Sequence, residues 1–373
     1  MARERPCLPA LLLLLAGACT TDATTSAPAP AADVSTSPAA ATVSVVMSNL
    51  DSPRGLAWGP DGGLYVVEAG STVINGPCAT LPRGTNCYSG TGAISRLLHG
   101  KQERVISGLP SAYNGAAQDI VGPHDLAFTI FGTAKVSIGW GGPPAARSEL
   151  GELGRNFGTI ITIRRGGSWS VAADVSAFEV ANNPAGGPID SNPYGLLEEF
   201  GRQFITDAGG NSLLKVRANS HVSLVAVFPS TAVPPGPFNP PFAQSESVPT
   251  EVKRGPDGAL YVCTLSGVPF LPGAAVIYRV VEGQTPTVYA AGFTQITDFT
   301  FGFDGSLYVL QHASGPFFSG PGSIVRQARD GTRSVVTRAL TRPTGIVVGP
   351  RNTLYVSNKG NLAGVGEVLK IEQ

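Results

Sequence analysis

One pattern of apolar and polar positions recurs along this chain. A turn residue and two small or polar residues lead into an apolar run. A Gly-Pro-Asp-Gly-like turn follows, and then Leu-Tyr-Val. The clearest copy is Pro53-Arg54-Gly55-Leu56-Ala57-Trp58, turning at Gly59-Pro60-Asp61-Gly62 into Leu64-Tyr65-Val66. Others start at Pro249-Thr250-Glu251-Val252, Ile296-Thr297-Asp298-Phe299 and Pro343-Thr344-Gly345-Ile346. Two weaker copies, at Pro123-His124-Asp125-Leu126 and Pro193-Tyr194-Gly195-Leu196, have lost the Pro-Asp-Gly turn. Asp-Gly between β-branched or aromatic runs predicts a hairpin.

The equivalent positions Gly55, Asp125, Gly195, Glu251, Asp298 and Gly345 are separated, by subtraction, by 70, 70, 56, 47 and 47 residues. The short step suits one four-stranded blade, and longer steps mean loop insertions. A third run follows each hairpin, such as Ala93–Leu97 or Val276–Val280, and a fourth, such as Glu103–Ile106 or Thr287–Tyr289. The predicted fold is all-β, a six-bladed β-propeller of four-stranded blades over residues 42–373. A β-solenoid and a two-sheet sandwich fit a fixed four-strand unit with uneven insertions less well. The last repeat supplies three strands. Val43–Met47 alternates as a strand and is predicted to close the last blade from outside, so that no edge stays open. A short helix is predicted from Asp174 to Asn183, capped by Asp174 and stopped at Pro184.

The N-terminus reads as a targeting segment. Arg3 and Arg5 precede the apolar run Leu11–Leu15 and Ala16-Gly17-Ala18-Cys19. Residues 1–19 are a signal peptide whose Cys19 fits a bacterial lipobox, although Ala16 stands where Leu is usual. Ordinary secretion with cleavage near Ala18 is the alternative. Residues 20–41, rich in Thr, Ser, Ala and Pro, are an expected tether. The expected location is extracytoplasmic, lipid-anchored or secreted, with the anchor as the membrane contact. In such a compartment Cys78 and Cys87, which flank a short loop, are expected to form a disulfide. Cys263 lies in an apolar strand and is expected to be a buried free thiol.

Composition narrows the partners. Lys plus Arg and Asp plus Glu number 26 each among 373 residues, so no basic field exists to steer nucleic acid. A monomer is expected. No HExxH, GxSxG, Walker A or CxxC motif occurs, so the usual nucleophile, zinc and nucleotide signatures are absent.

Propeller geometry locates the candidate site. The start of each inner strand and the end of the second strand share one face, since the two form a hairpin. Arg54, Glu68, His124, Asp125, Asn192, Tyr194, Asp207, Glu251 and Asp298 are therefore expected to bind a ligand at one mouth, with Thr250, Thr264, Thr297, Gln311, Thr344 and Asn358 beside them. Three readings stand. The carboxylates with Asn358 hold a hard cation such as Ca²⁺, which activates water for lactone or ester hydrolysis. His124 and a carboxylate act as acid and base. Or the ring is a non-catalytic pocket for a small molecule or protein segment. Against all three stands a structural role for Asp125, Glu251 and Asp298, bonding the backbone of neighbouring blades.

Gly122-Pro123-His124-Asp125, Asn182-Asn183-Pro184, Asp190-Ser191-Asn192-Pro193-Tyr194-Gly195, Thr206-Asp207-Ala208-Gly209-Gly210-Asn211 and Ala290-Ala291-Gly292-Phe293-Thr294 resemble the ScyD/ScyE family over roughly residues 43–373. That resemblance implies an exported propeller close to NHL and gluconolactonase-like six-bladed folds. It supplies no reaction and no catalytic residues. Its Asp-Ser-Asn-Pro-Tyr-Gly motif places Asn192 and Tyr194 at the mouth.

Overall fold

The computed structural model describes residues 41–373 and the backbone of Val34–Ser35. Among the described residues six antiparallel sheets follow the repeat. Blade 1 is Pro53–Trp58, Leu64–Glu68, Gly92–Leu98 and Lys101–Leu109. Blade 2 is Pro123–Phe128, Ala134–Ile138, Thr159–Ile163 and Trp169–Asp174. Blade 3 is Pro193–Glu199, Arg202–Asp207, Ser212–Val216 and Val222–Val227. Blade 4 is Pro249–Arg254, Leu260–Thr264, Ala275–Val280 and Thr287–Phe293. Blade 5 is Ile296–Phe301, Leu307–Gln311, Gly322–Gln327 and Arg333–Leu340. Blade 6 is Gly345–Val348, Leu354–Asn358, Gly366–Glu372 and, outermost, Thr42–Leu50. Each inner strand packs on the next, and that of blade 6 packs on that of blade 1.

The predicted closure is present. Thr42–Leu50 runs antiparallel to Gly366–Glu372, from Thr42 opposite Glu372 to Leu50 opposite Gly366. Met47 and Leu50 are 1% exposed and pack with Leu56, Leu64, Val66 and Val368. Burying a side chain of that size contributes about 1.5–3 kcal/mol, so the two ends of the chain hold the ring shut. Upstream, Val34–Ser35 pairs with Arg333 and Ser334 at the edge of blade 5. The segment expected to be a signal peptide, Cys19 and most of the expected tether lie outside the described residues.

The inner-strand repeat position carries glycine on blades 1, 3 and 6 and an acid on blades 2, 4 and 5. Asp125 Oδ2 accepts from Leu196 N at 2.9 Å, and Asp298 Oδ2 from Ile346 N at 2.7 Å. The glycines leave room for the blade that follows: a Cβ on Gly55 would stand 2.0 Å from Asp125 Oδ1. A Cβ on Gly195 would stand 2.5 Å from Glu251 Cα, and one on Gly345 2.5 Å from Arg54 O. The carboxylates thus join blades 2 to 3 and 5 to 6.

The insertions fold into structures that the repeat does not announce. Cys78–Leu81, Gly84–Tyr88, Ala112–Asn114 and Asp119–Val121 form a separate four-stranded sheet. It joins the insertion inside blade 1 to the link between blades 1 and 2. Cys78 and Cys87 are disulfide-bonded directly across its first hairpin, as expected. Pro144–Asn156 is a 3₁₀ segment kinked at Gly151. The helix Val175–Asn182 forms as expected, with Asp174 accepting from Ala177 N. Cys263 is a buried free thiol.

Candidate functional site

The second residue of each repeat converges on one cavity. Arg54, His124, Tyr194, Thr250, Thr297 and Thr344 all line a space of about 410 Å³ at the mouth. Three of the six are built identically. Thr250 Oγ1 donates to Ile296 O at 2.9 Å, Thr297 Oγ1 to Pro343 O at 3.2 Å, and Thr344 Oγ1 to Pro53 O at 2.7 Å. Each hydroxyl joins its blade to the first carbonyl of the next copy of the repeat. On blades 1 to 3 the equivalent positions carry larger side chains that reach into the mouth.

His124 keeps the inter-blade bond by another route. Its Nδ1 lies 3.1 Å from Pro193 O. A carbonyl only accepts, so Nδ1 carries the proton and Nε2 keeps its lone pair. The imidazole is 3% exposed. Burial, followed by the Arg54 charge, lowers its pKa to about 4, so it is neutral at pH 7. Tyr194 stacks beside it, with ring centroids 4.4 Å apart. Burial pushes the Tyr194 phenol up to about 12.

Arg54 ties three parts of the mouth together. Nη1 donates to Gly360 O at 2.7 Å, and Nη2 to Ile120 O at 3.0 Å and Asp119 Oδ1 at 3.3 Å. Asn192, also in the lining, accepts from Trp140 N at 3.1 Å.

The other five expected residues do not line the cavity. Glu68 is fully buried in blade 1. It accepts from Asp51 N and Ser95 Oγ at 2.6 Å each, and pairs with Arg104. Asp207 is the hub of its turn, accepting from Asn192 N at 2.6 Å, Gly210 N at 3.1 Å, Gly209 N at 3.2 Å and Ser191 Oγ at 2.8 Å. It holds Asn192 in place rather than meeting a ligand. Burial raises its pKa to about 6. Asp125 and Asp298 each spend Oδ2 on a blade junction, Asp298 Oδ1 accepts from Phe299 N at 2.6 Å, and Glu251 Oε1 accepts from Val252 N at 2.8 Å.

Asp125, Glu251 and Asp298 nevertheless share one ammonium. Lys253 Nζ lies 3.4 Å from Glu251 Oε1 and 3.6 Å from Asp298 Oδ1. Burial, and then the Asp125 carboxylate, raise the Glu251 pKa well above the usual carboxylate range. The inner layer is thus a packed junction in which one ammonium offsets part of the charge of three acids. Among the described residues no three His, Cys, Asp or Glu side chains are arranged to hold a metal ion. The carboxylates named for Ca²⁺ do not form such a set, because the backbone uses them.

The lining contains residues that the repeat did not single out. His312, one residue past the second strand of blade 5, repeats the His124 arrangement across the ring: Nδ1 lies 2.9 Å from Pro343 O, and burial lowers its pKa to about 4. Its position beside Gln311 was the available signal. Leu81 and Val121 of the inserted sheet face the cavity on one side, and Val268, Phe270 and Phe318 on the other. Phe270 and Phe318 stack 4.3 Å apart. Blade 5 and the loops around it thus contribute to the mouth as well as blades 1 to 3.

No family model matches the chain. No curated protein matches it either. Solved structures do. A virginiamycin B lyase from Staphylococcus aureus is 14% identical, with 89% of this chain and 100% of that one covered, at a TM-score of 0.50. A protein described as a putative oxidoreductase (glucose dehydrogenase) from Thermus thermophilus is 16% identical over 89% and 99%, at 0.51. A gluconolactonase from Xanthomonas campestris is 10% identical over 89% of each chain, at 0.50. At these identities the likeness is one of fold: the chain is a β-propeller.

Proposed function

We propose that the mouth binds a small molecule that combines an apolar body with hydrogen-bonding groups. One observation carries this reading. Six equivalent positions meet at a single cavity, three keep the Thr that the ring needs, and Arg54, His124 and Tyr194 replace it on adjacent blades. The volume falls in the range of small-molecule pockets, about 300–1,000 Å³. Leu81, Val121, Phe270 and Phe318 supply an apolar wall, while His124 and His312 offer Nε2 acceptors that no described residue occupies.

The motifs quoted above support placing the protein near the ScyD/ScyE group. The N-terminal segment and the Cys78–Cys87 disulfide support export, with Cys19 as the lipid attachment point.

A thermal-shift screen of small amphiphilic metabolites, with and without divalent metals, tests the pocket. A ligand should raise the melting temperature of the parent, and His124→Gln and Tyr194→Ala should lose that shift. If no compound stabilises the parent and neither replacement alters any response, the pocket reading fails. The neutral imidazoles also favour a second reading, in which they accept a proton from the bound molecule. Turnover of a hit by the parent and not by His124→Gln would support it, and equal turnover would reject it.

A further inference from the structure

The face opposite the mouth carries the most exposed large hydrophobic side chains of the described residues. Phe131 is 88% exposed, Phe200 82%, Ile130 75% and Phe303 73%, while the next highest is Val288 at 57%. All four stand at one kind of place, the turn between the first and second strands of blades 2, 3 and 5. Those strands start at the mouth, so these turns form the basal face. In blades 1, 4 and 6 the same turns present Pro60, Pro256 and Pro350, all exposed. Isolated exposed apolar residues need no explanation, but a shared structural position on one face does.

The same face has unbalanced charge. Arg202 and Arg351 flank these turns, and Arg164, Arg165, Arg217 and Arg329 lie in the neighbouring turns between third and fourth strands. All six are exposed, and none makes an ion pair among the described residues. The basal carboxylates Asp61, Asp257 and Asp304 are already paired with Arg96, Arg279 and Arg326. Among the described residues, only Glu198 and Asp330 remain there without a cationic partner.

The chain also leaves from this face. Thr42 lies opposite Glu372 at the basal end of blade 6, and Val34–Ser35 pairs with Arg333 and Ser334 at the basal end of blade 5. The apolar segment Leu11–Leu15 and Cys19 precede it in the sequence.

We infer that the basal face docks on a membrane surface with anionic headgroups. The Phe and Ile tips enter the interfacial layer, where partly apolar groups are favoured. The unpaired guanidinium groups meet phosphate, and the mouth points away from the bilayer. This goes beyond attachment through Cys19, because the folded surface itself contributes and fixes the orientation.

Vesicle sedimentation tests it. The full chain carrying Cys19→Ser, which cannot be lipidated, should pellet with vesicles of equal phosphatidylglycerol and phosphatidylcholine, and much less with phosphatidylcholine alone. Replacing Phe131, Phe200 and Phe303 together by Ser, or Arg164, Arg165 and Arg202 together by Ser, should each lower the bound fraction about tenfold. Their melting temperatures should stay unchanged, since these side chains are exposed. No pelleting of the Cys19→Ser chain, equal pelleting with neutral vesicles, or undiminished binding by both triple variants would overturn the proposal. The last result would assign binding to the N-terminal apolar segment.

Discussion

The His124 ring stacks on Tyr194 at 4.4 Å while its Nδ1 is held, at 3.1 Å, by the carbonyl of the residue just before that tyrosine, Pro193. One short segment of blade 3 therefore sets the tautomer and the orientation of a blade 2 side chain, while burial and the Arg54 charge keep it neutral. His312 and Pro343 repeat the carbonyl half of this arrangement between blades 5 and 6.

The two histidines make stability depend on acid. Both pKa values fall from 6.5 to about 4 in the fold. The folded state binds fewer protons than the unfolded state between these values. The contribution is complete above pH 6.5 and is lost as pH falls toward 4, by about 2 kcal/mol per histidine between pH 7 and 5. Denaturant unfolding at these two pH values should show a smaller difference for His124→Gln than for the parent. An identical difference would mean that the buried imidazole protonates normally. Nuclear magnetic resonance titration of the ring protons should show no midpoint for either ring between pH 5.5 and 8.

Closure of the ring predicts all-or-none dependence on the first strand. Deleting residues 42 to 49 strips the outer edge of Gly366–Glu372 and exposes Leu50 and Val368. The domain should lose its cooperative thermal transition. A truncated chain that melts as the parent does would show that the seam is not needed. The milder Met47→Ala should cost about 2–4 kcal/mol by opening a cavity.

Gly195 should be intolerant of even one methyl group. Its φ is not the reason. A Cβ there would meet Glu251 Cα at 2.5 Å and Thr250 O at 2.6 Å, both backbone atoms that cannot rotate away. Gly195→Ala should destabilise the fold by about 2–3 kcal/mol in equilibrium unfolding. Gly187→Ala is a poor control, because its φ is 78°. Gly236→Ala, where nothing lies within 4 Å, should be neutral.

Glu179 should give the opposite pH signature to the histidines. It is 1% exposed, and Oε2 has no hydrogen-bond partner. Burial, then the Asp207 and Asp190 charges, raise its pKa to about 7 from 4.5. The folded state holds this proton more tightly than the unfolded state, so stability is lost as pH rises from 4.5 through 7. Glu179→Gln should melt higher than the parent at pH 8 and about equally at pH 4.5. A lower melting temperature at pH 8 would show that the charged carboxylate is needed.

The architecture was legible in the sequence because a propeller blade is a local unit. Its hairpin turn, its period-two strands and its spacing are all contiguous in the chain, as Pro53 to Val66 shows. The closing strand was legible too, because a last repeat with three strands needs a fourth. Of the mouth, the positions Arg54, His124, Asn192 and Tyr194 were legible, since repeat register fixes which residues face the channel.

Tertiary structure decided the rest. Register cannot tell whether a carboxylate faces a cavity or a neighbouring amide. Asp125 and Asp298 sit one residue past His124 and Thr297, yet they turn to the Leu196 and Ile346 amides of the next blade. The inserted sheet, which pairs residues 86–88 with residues 112–114, depends on chain return that no local pattern encodes. The same is true of His312, whose role appears only when blade 6 brings Pro343 against it. The sequence by itself determined the ring and the six positions that face its mouth. Only packing between blades decided which polar groups remain unspent there, because a buried amide takes the nearest acceptor before any ligand can.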